Sequence, residues 1–132
     1  MTQNVFAAIA ALKQNAQRIR RIEAEAREAL FVKDDPSAYT EKLKEKTMLL
    51  IELPELIEPF CQDLDKEAAR RIDKGVESFA MRAQRAMELS SVFYMNALLY
   101  PEDYTEGDPN DLEVFINRLE ALLLQATKTP SA

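Results

Sequence analysis

Only two glycines stand among 132 residues, and long stretches between the prolines carry apolar side chains at every third or fourth position. That pairing constrains the fold more than any other feature. In the first stretch Val5, Ile9, Leu12, Ala16, Ile19, Ile22, Ala26 and Leu30 mark one face of a helix. Ala, Leu, Glu and Arg, which lose little freedom in a helix, fill the positions between. β-Branched runs and Asn-Gly or Asp-Gly hairpin turns are absent, so nothing in the chain signals a strand.

Three further helical segments follow. Asp35-Pro36 opens the second, with a carboxylate to accept from orphan amides and a proline suited to the first helical position. Tyr39, Leu43, Thr47, Leu50 and Ile57 form its inward face. Pro54 lacks an N–H and crowds the carbonyl of Leu50, which predicts a kink or break there. The third segment is expected to start near Asp63 or Asp65 and run to Tyr100, about 54 Å if unbroken. Gly75 and Ser90-Ser91 are its candidate bends, and Pro101 ends it. The fourth, from Pro109 to Thr127, offers Leu112, Phe115, Ile116, Leu119, Leu122, Leu123 and Ala126, with Asp108 as its expected cap. The expectation is an all-α, antiparallel bundle of four main helices forming one domain over residues 1–127, with a disordered tail at 128–132. A chain of this size buries roughly two thirds of its unfolded surface and needs neither disulfide nor metal to fold.

Several chemistries are excluded. The chain has no histidine, which removes Ser-His and Cys-His nucleophiles, imidazole metal sites and the Glu-x-x-His pairs of di-iron bundles. No glycine-rich phosphate loop is present. Cys61, the only cysteine, sits among apolar neighbours in IEPFCQDL and reads as a small buried hydrophobe. The run from Val5 to Leu12 lacks the basic start of a secretory signal and is too short to span a membrane. A soluble cytoplasmic protein, with no cofactor and no membrane partner, is therefore expected. A formal net charge of −6 argues against nucleic acid. Arg18, Arg20, Arg21 and Arg27 interleave with Glu23, Glu25 and Glu28, and the pairs Arg21–Glu25 and Glu23–Arg27 read as a solvated helix face.

Carboxylates concentrate in one place. The stretch from Pro101 to Glu113 in LLYPEDYTEGDPNDLEVF holds six acids and no base, whereas the chain holds 23 acids and 17 bases in all. An EF-hand loop counted from Asp103 fails, because Gly107 falls fifth instead of sixth and Val114 takes the place of the closing glutamate. Helix punctuation accounts for Asp108, Asp111 and Glu113, since acids are favoured in a first turn. Glu102, Asp103 and Glu106 are left as a weaker, alternative metal site. Tyr100 and Tyr104 flank these acids and are expected to pack their rings on the core with the hydroxyls in water. Glu52, Glu55 and Glu58 form an E-x-x-E-x-x-E series. Magnesium-dependent all-α pyrophosphohydrolases pair E-x-x-E with E-x-x-D on a later helix, and here no Glu is followed by Asp three residues on. A carboxylate-metal hydrolase of phosphorylated compounds is thus the alternative function.

The leading reading comes from SSVFYMNALLY, residues 90–100, where only Asn96 is clearly polar after Ser91. A helix that is apolar all round must be covered on several sides, either by the rest of the chain or by a partner. Val92, Phe93, Tyr94, Met95, Leu98, Leu99 and Tyr100 are the candidate interface residues. The expected function is non-enzymatic: a cytoplasmic interaction module, acting as a homodimer or as a chaperone or adaptor that covers an apolar segment of another protein.

Overall fold

The computed structural model describes residues 2–128. Among them lie five α-helices and no strand: α1 (Thr2–Phe31), α2 (Pro36–Ile57), α3 (Lys66–Glu88), α4 (Val92–Ala97) and α5 (Asp111–Lys128), with a 3₁₀ turn at Glu58–Phe60. No described helix is long and apolar enough to cross a membrane. Of the expected tail, residues 129–132 lie outside the described part.

The chain signals set most helix ends. Asp34 takes a left-handed φ of 51°, which lets the Asp35 amide donate back to the Ala29 carbonyl at 2.8 Å and closes α1. Asp35 Oδ1 then accepts from the Ala38 amide at 3.0 Å, and Pro36 occupies the first turn of α2. Asp65 caps α3 in the same way, at 2.8 Å from the Ala68 amide. Helix α2 continues through Pro54 as far as Ile57.

The long third segment is divided. Helix α3 stops at Glu88, Ser90 adopts a φ of 50°, and the Ser91 hydroxyl accepts from the Tyr94 amide at 3.1 Å to start α4. The Ser-Ser pair therefore makes a full break, because one serine turns the backbone and the other caps the next helix. The start of α5 also differs from expectation. Asn110, not Asp108, is the cap: Asn110 Oδ1 accepts from the Glu113 amide at 2.9 Å, and Glu113 Oε1 accepts from the Asn110 amide at 2.8 Å. This reciprocal pair is a capping box. It places Pro109 one residue before the cap.

Packing joins α1 to α2, α2 to α3, and α5 to both α1 and α3, while α4 lies across α2 and α3. The main core gathers Leu12, Ile19, Leu50, Leu53, Ile57, Ile72, Val76, Leu112 and Ile116. A second cluster of Ala26, Leu43, Ala86 and Met95 sits beneath α4. Leu122, expected inside, is 52% exposed. Gly75 serves packing, not bending: the Phe115 ring lies where a β-carbon at Gly75 would project, and the same ring meets Phe79 edge-on at 5.8 Å between centroids.

Glycine in a helix interior normally costs about 1 kcal/mol relative to alanine. Here Gly75→Ala is expected to destabilise by roughly 1–3 kcal/mol through overpacking against Phe115. In a Phe115→Ala background the same change should stabilise. Urea unfolding of the four proteins in this cycle measures the change of sign.

Candidate functional site

A lysine holds the segment that follows α3. Lys46 lies on α2 between Leu43 and Leu50, at apolar spacing, and its side chain is fully buried. Its Nζ donates to the carbonyls of Asn96 at 3.2 Å and Leu98 at 2.9 Å, and lies 2.9 Å from Glu23 Oε2. The two carbonyls take two of the three ammonium protons, and the Glu23 carboxylate meets the charge as an ion pair. Glu23, 5% exposed on α1, accepts from the Tyr100 hydroxyl through its other oxygen at 2.6 Å. Lys46 also lies 5.2 Å from the centre of the Tyr100 ring. Burial pushes the Lys46 ammonium below its ordinary pKa, against the pull of Glu23. Burial and then the Glu23 carboxylate push the Tyr100 phenol well above its own.

Arg20, one turn before Glu23, extends this network. It donates to both oxygens of Glu113, at 2.6 and 3.1 Å, and to the Tyr100 hydroxyl, the Tyr104 hydroxyl and the Asp108 carbonyl. The expected solvated face of α1 is corrected here: Arg20 and Glu23 turn towards the protein, and Glu25 pairs with Lys42 at 3.0 Å. The tyrosine hydroxyls are not left to water either. Tyr104 donates to the Asp108 carbonyl at 2.8 Å, and its ring meets Tyr100 edge-on at 4.7 Å. The Arg20 hydrogen bond holds the Glu113 carboxyl below the usual carboxylate range, burial opposing it.

These bonds fix a wall, Leu98–Glu102, whose far side faces α3. Leu99 is held at a φ of 78°, a conformation that costs a branched L residue on the order of 1–3 kcal/mol. It persists because Leu99 is buried, because its carbonyl accepts from the Asp111 amide at 2.9 Å, and because Lys46 holds the carbonyl before it. Between this wall and α3 lies an open groove of about 890 Å³, lined by Met81, Ala86, Leu89, Tyr94, Ala97, Leu98 and Leu99. Lys74, Arg82 and Arg85 stand along the α3 side, with Glu77 among them, and Glu102 and Asp111 stand opposite. A second cavity of about 210 Å³, lined by Glu23, Arg27, Tyr39, Leu43 and Asn96, shares Ala97 and Tyr100 with the first.

The structure sorts the candidate interface residues by depth. Met95 and Leu99 are buried, Val92, Leu98 and Tyr100 are half-buried, and Phe93 and Tyr94 are exposed at 75% and 53%. The groove adds Met81 and Leu89, exposed at 71% and 59%, which periodicity alone left unmarked. Glu102, Asp103 and Glu106 are exposed, as are Glu52, Glu55 and Glu58. Among the described residues no three Asp, Glu or Cys side chains converge as a metal would require. Cys61 is buried, and its thiol is pushed up to about 11 by burial and then by Asp73 and Glu58. Comparison with protein families gives no match for the chain, and comparisons with curated proteins and with solved structures give none either.

Removing one partner of a buried ion pair strands the other charge. Glu23→Ala is therefore expected to destabilise by about 3–5 kcal/mol, whereas Glu23→Leu with Lys46→Met together should cost much less. Denaturant melts of both variants, compared with the wild type, measure the difference. For Glu113, the lowered folded-state pKa means that its contribution is full above the unfolded carboxylate value and is lost as pH falls through the folded one. Glu113→Gln keeps the cap acceptor but loses the charge. It should cost on the order of 1 kcal/mol near neutrality, because Arg20 and Glu113 stay about a third exposed. The gap from wild type should narrow below about pH 4, as read from melting temperatures across the acid range.

Proposed function

We propose that this protein is a non-enzymatic, cytoplasmic interaction module whose groove between α3 and the Leu98–Glu102 wall receives an amphipathic helix of a protein. The scaffold is read as an antiparallel bundle of four main helices bending at Pro54, with α4 and the wall laid across it. The observation that carries this reading is the groove itself: about 890 Å³, floored by apolar side chains, with Met81 and Leu89 left largely in solvent. A volume of this order suits side chains inserted from a helix. Its lips supply orientation. Lys74 and Arg85 have no ion-pair partner among the described residues, and Arg82 meets Asp111 only at 3.9 Å. A helix with an apolar stripe and carboxylates along one flank answers both features. Phe93 and Tyr94, packed edge-on at 5.5 Å, stand beside Tyr94's groove contact and extend the apolar surface.

A synthetic helical peptide with leucines at i, i+4 and i+7 and glutamates along one flank tests the reading. Titrated into ¹⁵N-labelled protein, it should shift the amides of residues 78–89 and 94–102. Met81→Glu with Leu89→Glu should weaken binding at least tenfold, about 1.4 kcal/mol, with helicity unchanged. Shifts scattered over the whole molecule, or equal binding by the double variant, would count against the groove.

A further inference from the structure

The occupant of the groove is written elsewhere on the same chain. We propose that the outer face of α2 in a second copy docks into the α3 groove, so that copies associate head to tail; this rests on the groove reading above.

On α2, Glu41, Glu45, Met48, Glu52, Glu55 and Leu56 are all exposed and fall on one helical stripe. Met48 and Leu56 are large apolar residues exposed at 43% and 39%. From Thr47 to Asp65 the chain has no Lys or Arg, so the second half of this stripe is uniformly acidic. The E-x-x-E-x-x-E series lies here. Its carboxylates gather no metal-binding group among the described residues.

The α3 lip of the groove is basic on balance, with Lys74, Arg82 and Arg85 against Glu77, while Glu102 and Asp111 line the opposite side. Lys74 and Arg85 stand on its α3 lip without an ion-pair partner among the described residues, and Met81 and Leu89 stand between and beyond them. Met48 and Leu56 are eight residues apart on α2, as are Met81 on α3 and Leu89 at its C-cap. At 1.5 Å per residue both apolar pairs span about 12 Å. Set parallel, with Met48 against Met81 and Leu56 against Leu89, the helices bring Glu52 beside Arg85 and Glu41 beside Lys74. Opposite charges meeting this way fix register more than they add affinity. The two surfaces differ, so the contact is heterologous: a dimer keeps one free groove on one copy and one free α2 face on the other.

Sedimentation velocity on three proteins decides it. Wild type should rise in weight-average mass with concentration across the micromolar range, and fall back when salt screens the charges. Met48→Glu with Leu56→Glu destroys the α2 face and leaves the groove. Lys74→Glu with Arg85→Glu destroys the groove lip and leaves the α2 face. Each variant alone should stay monomeric with unchanged circular dichroism, since all four positions are exposed. Mixed one to one, they should form a dimer that grows no further, because each supplies the surface the other lacks. A wild type that is monomeric at every concentration overturns the proposal, as does a mixture that forms no dimer, or a single variant that associates like wild type. The acidic helical peptide separates this from the groove reading. If it binds wild-type protein while the protein does not self-associate, only the second copy is ruled out as occupant; if it does not bind either, the groove reading fails as well.

Discussion

The ion pair between Lys46 and Glu23 is the interaction on which the accessory part of this fold depends. It joins α1 to α2 in the interior, and its remaining hydrogen-bonding capacity is spent on the carbonyls of Asn96 and Leu98 and the hydroxyl of Tyr100. Taking both charges out of water is expensive, and such a pair adds little net stability over well-packed apolar side chains. What it supplies is position. An apolar pair at these sites would hold α1 against α2 but would take the lysine from the carbonyls of Asn96 and Leu98 and the carboxylate from the Tyr100 hydroxyl.

That segment has few other anchors. Helix α4 is six residues long, too short to be stable by itself, and Met95 is its only buried residue. The connection from Leu98 to Asn110 has no regular structure, and a buried irregular chain must find partners for its polar groups outside any ladder. Lys46, Arg20 and the cap of α5 provide them. Arg20 reaches Tyr100, Tyr104, Asp108 and Glu113 at once, so the beginning and end of the connection are fastened by the same side chain. The left-handed Leu99 shows how tightly the wall is determined, because a branched residue leaves that conformation unless its surroundings forbid it.

The groove follows from this fastening. Its floor combines α3, a regular helix, with a wall that exists only because charged groups behind it hold its carbonyls and hydroxyls. The groove and the network behind it therefore meet at the same residue: Tyr100 lines the groove and the smaller cavity, and its hydroxyl ends in the ion pair. The acidic character of the protein is distributed in keeping with this arrangement. Acids collect on the outer face of α2 and in the connection before α5, while Lys74 and Arg85 of α3, without an ion-pair partner among the described residues, stand at the groove lip.

Much of this was legible in the sequence. The apolar periodicity marked the buried faces of α1, α2 and α5, and Asp35-Pro36 and the acids of the first turn of α5 announced their helices, because these signals act within a few residues of the chain. The break at Ser90-Ser91 was visible as a weak point, but not as a complete stop, since propensity cannot weigh one helix against two. Gly75 looked like a bend because nothing local tells that Phe115 fills the space beside it. Lys46 carried a faint signal, a charge at apolar spacing. By itself the sequence determined which segments are helical, which faces are apolar and which chemistries are absent. Only the tertiary structure decided that Arg20 and Glu23 turn inward, that Asn110 caps α5, and that Met81 and Leu89 border a groove. Each of those depends on partners brought from tens of residues away, and a charge in a helix reads the same in sequence whether water or another side chain answers it.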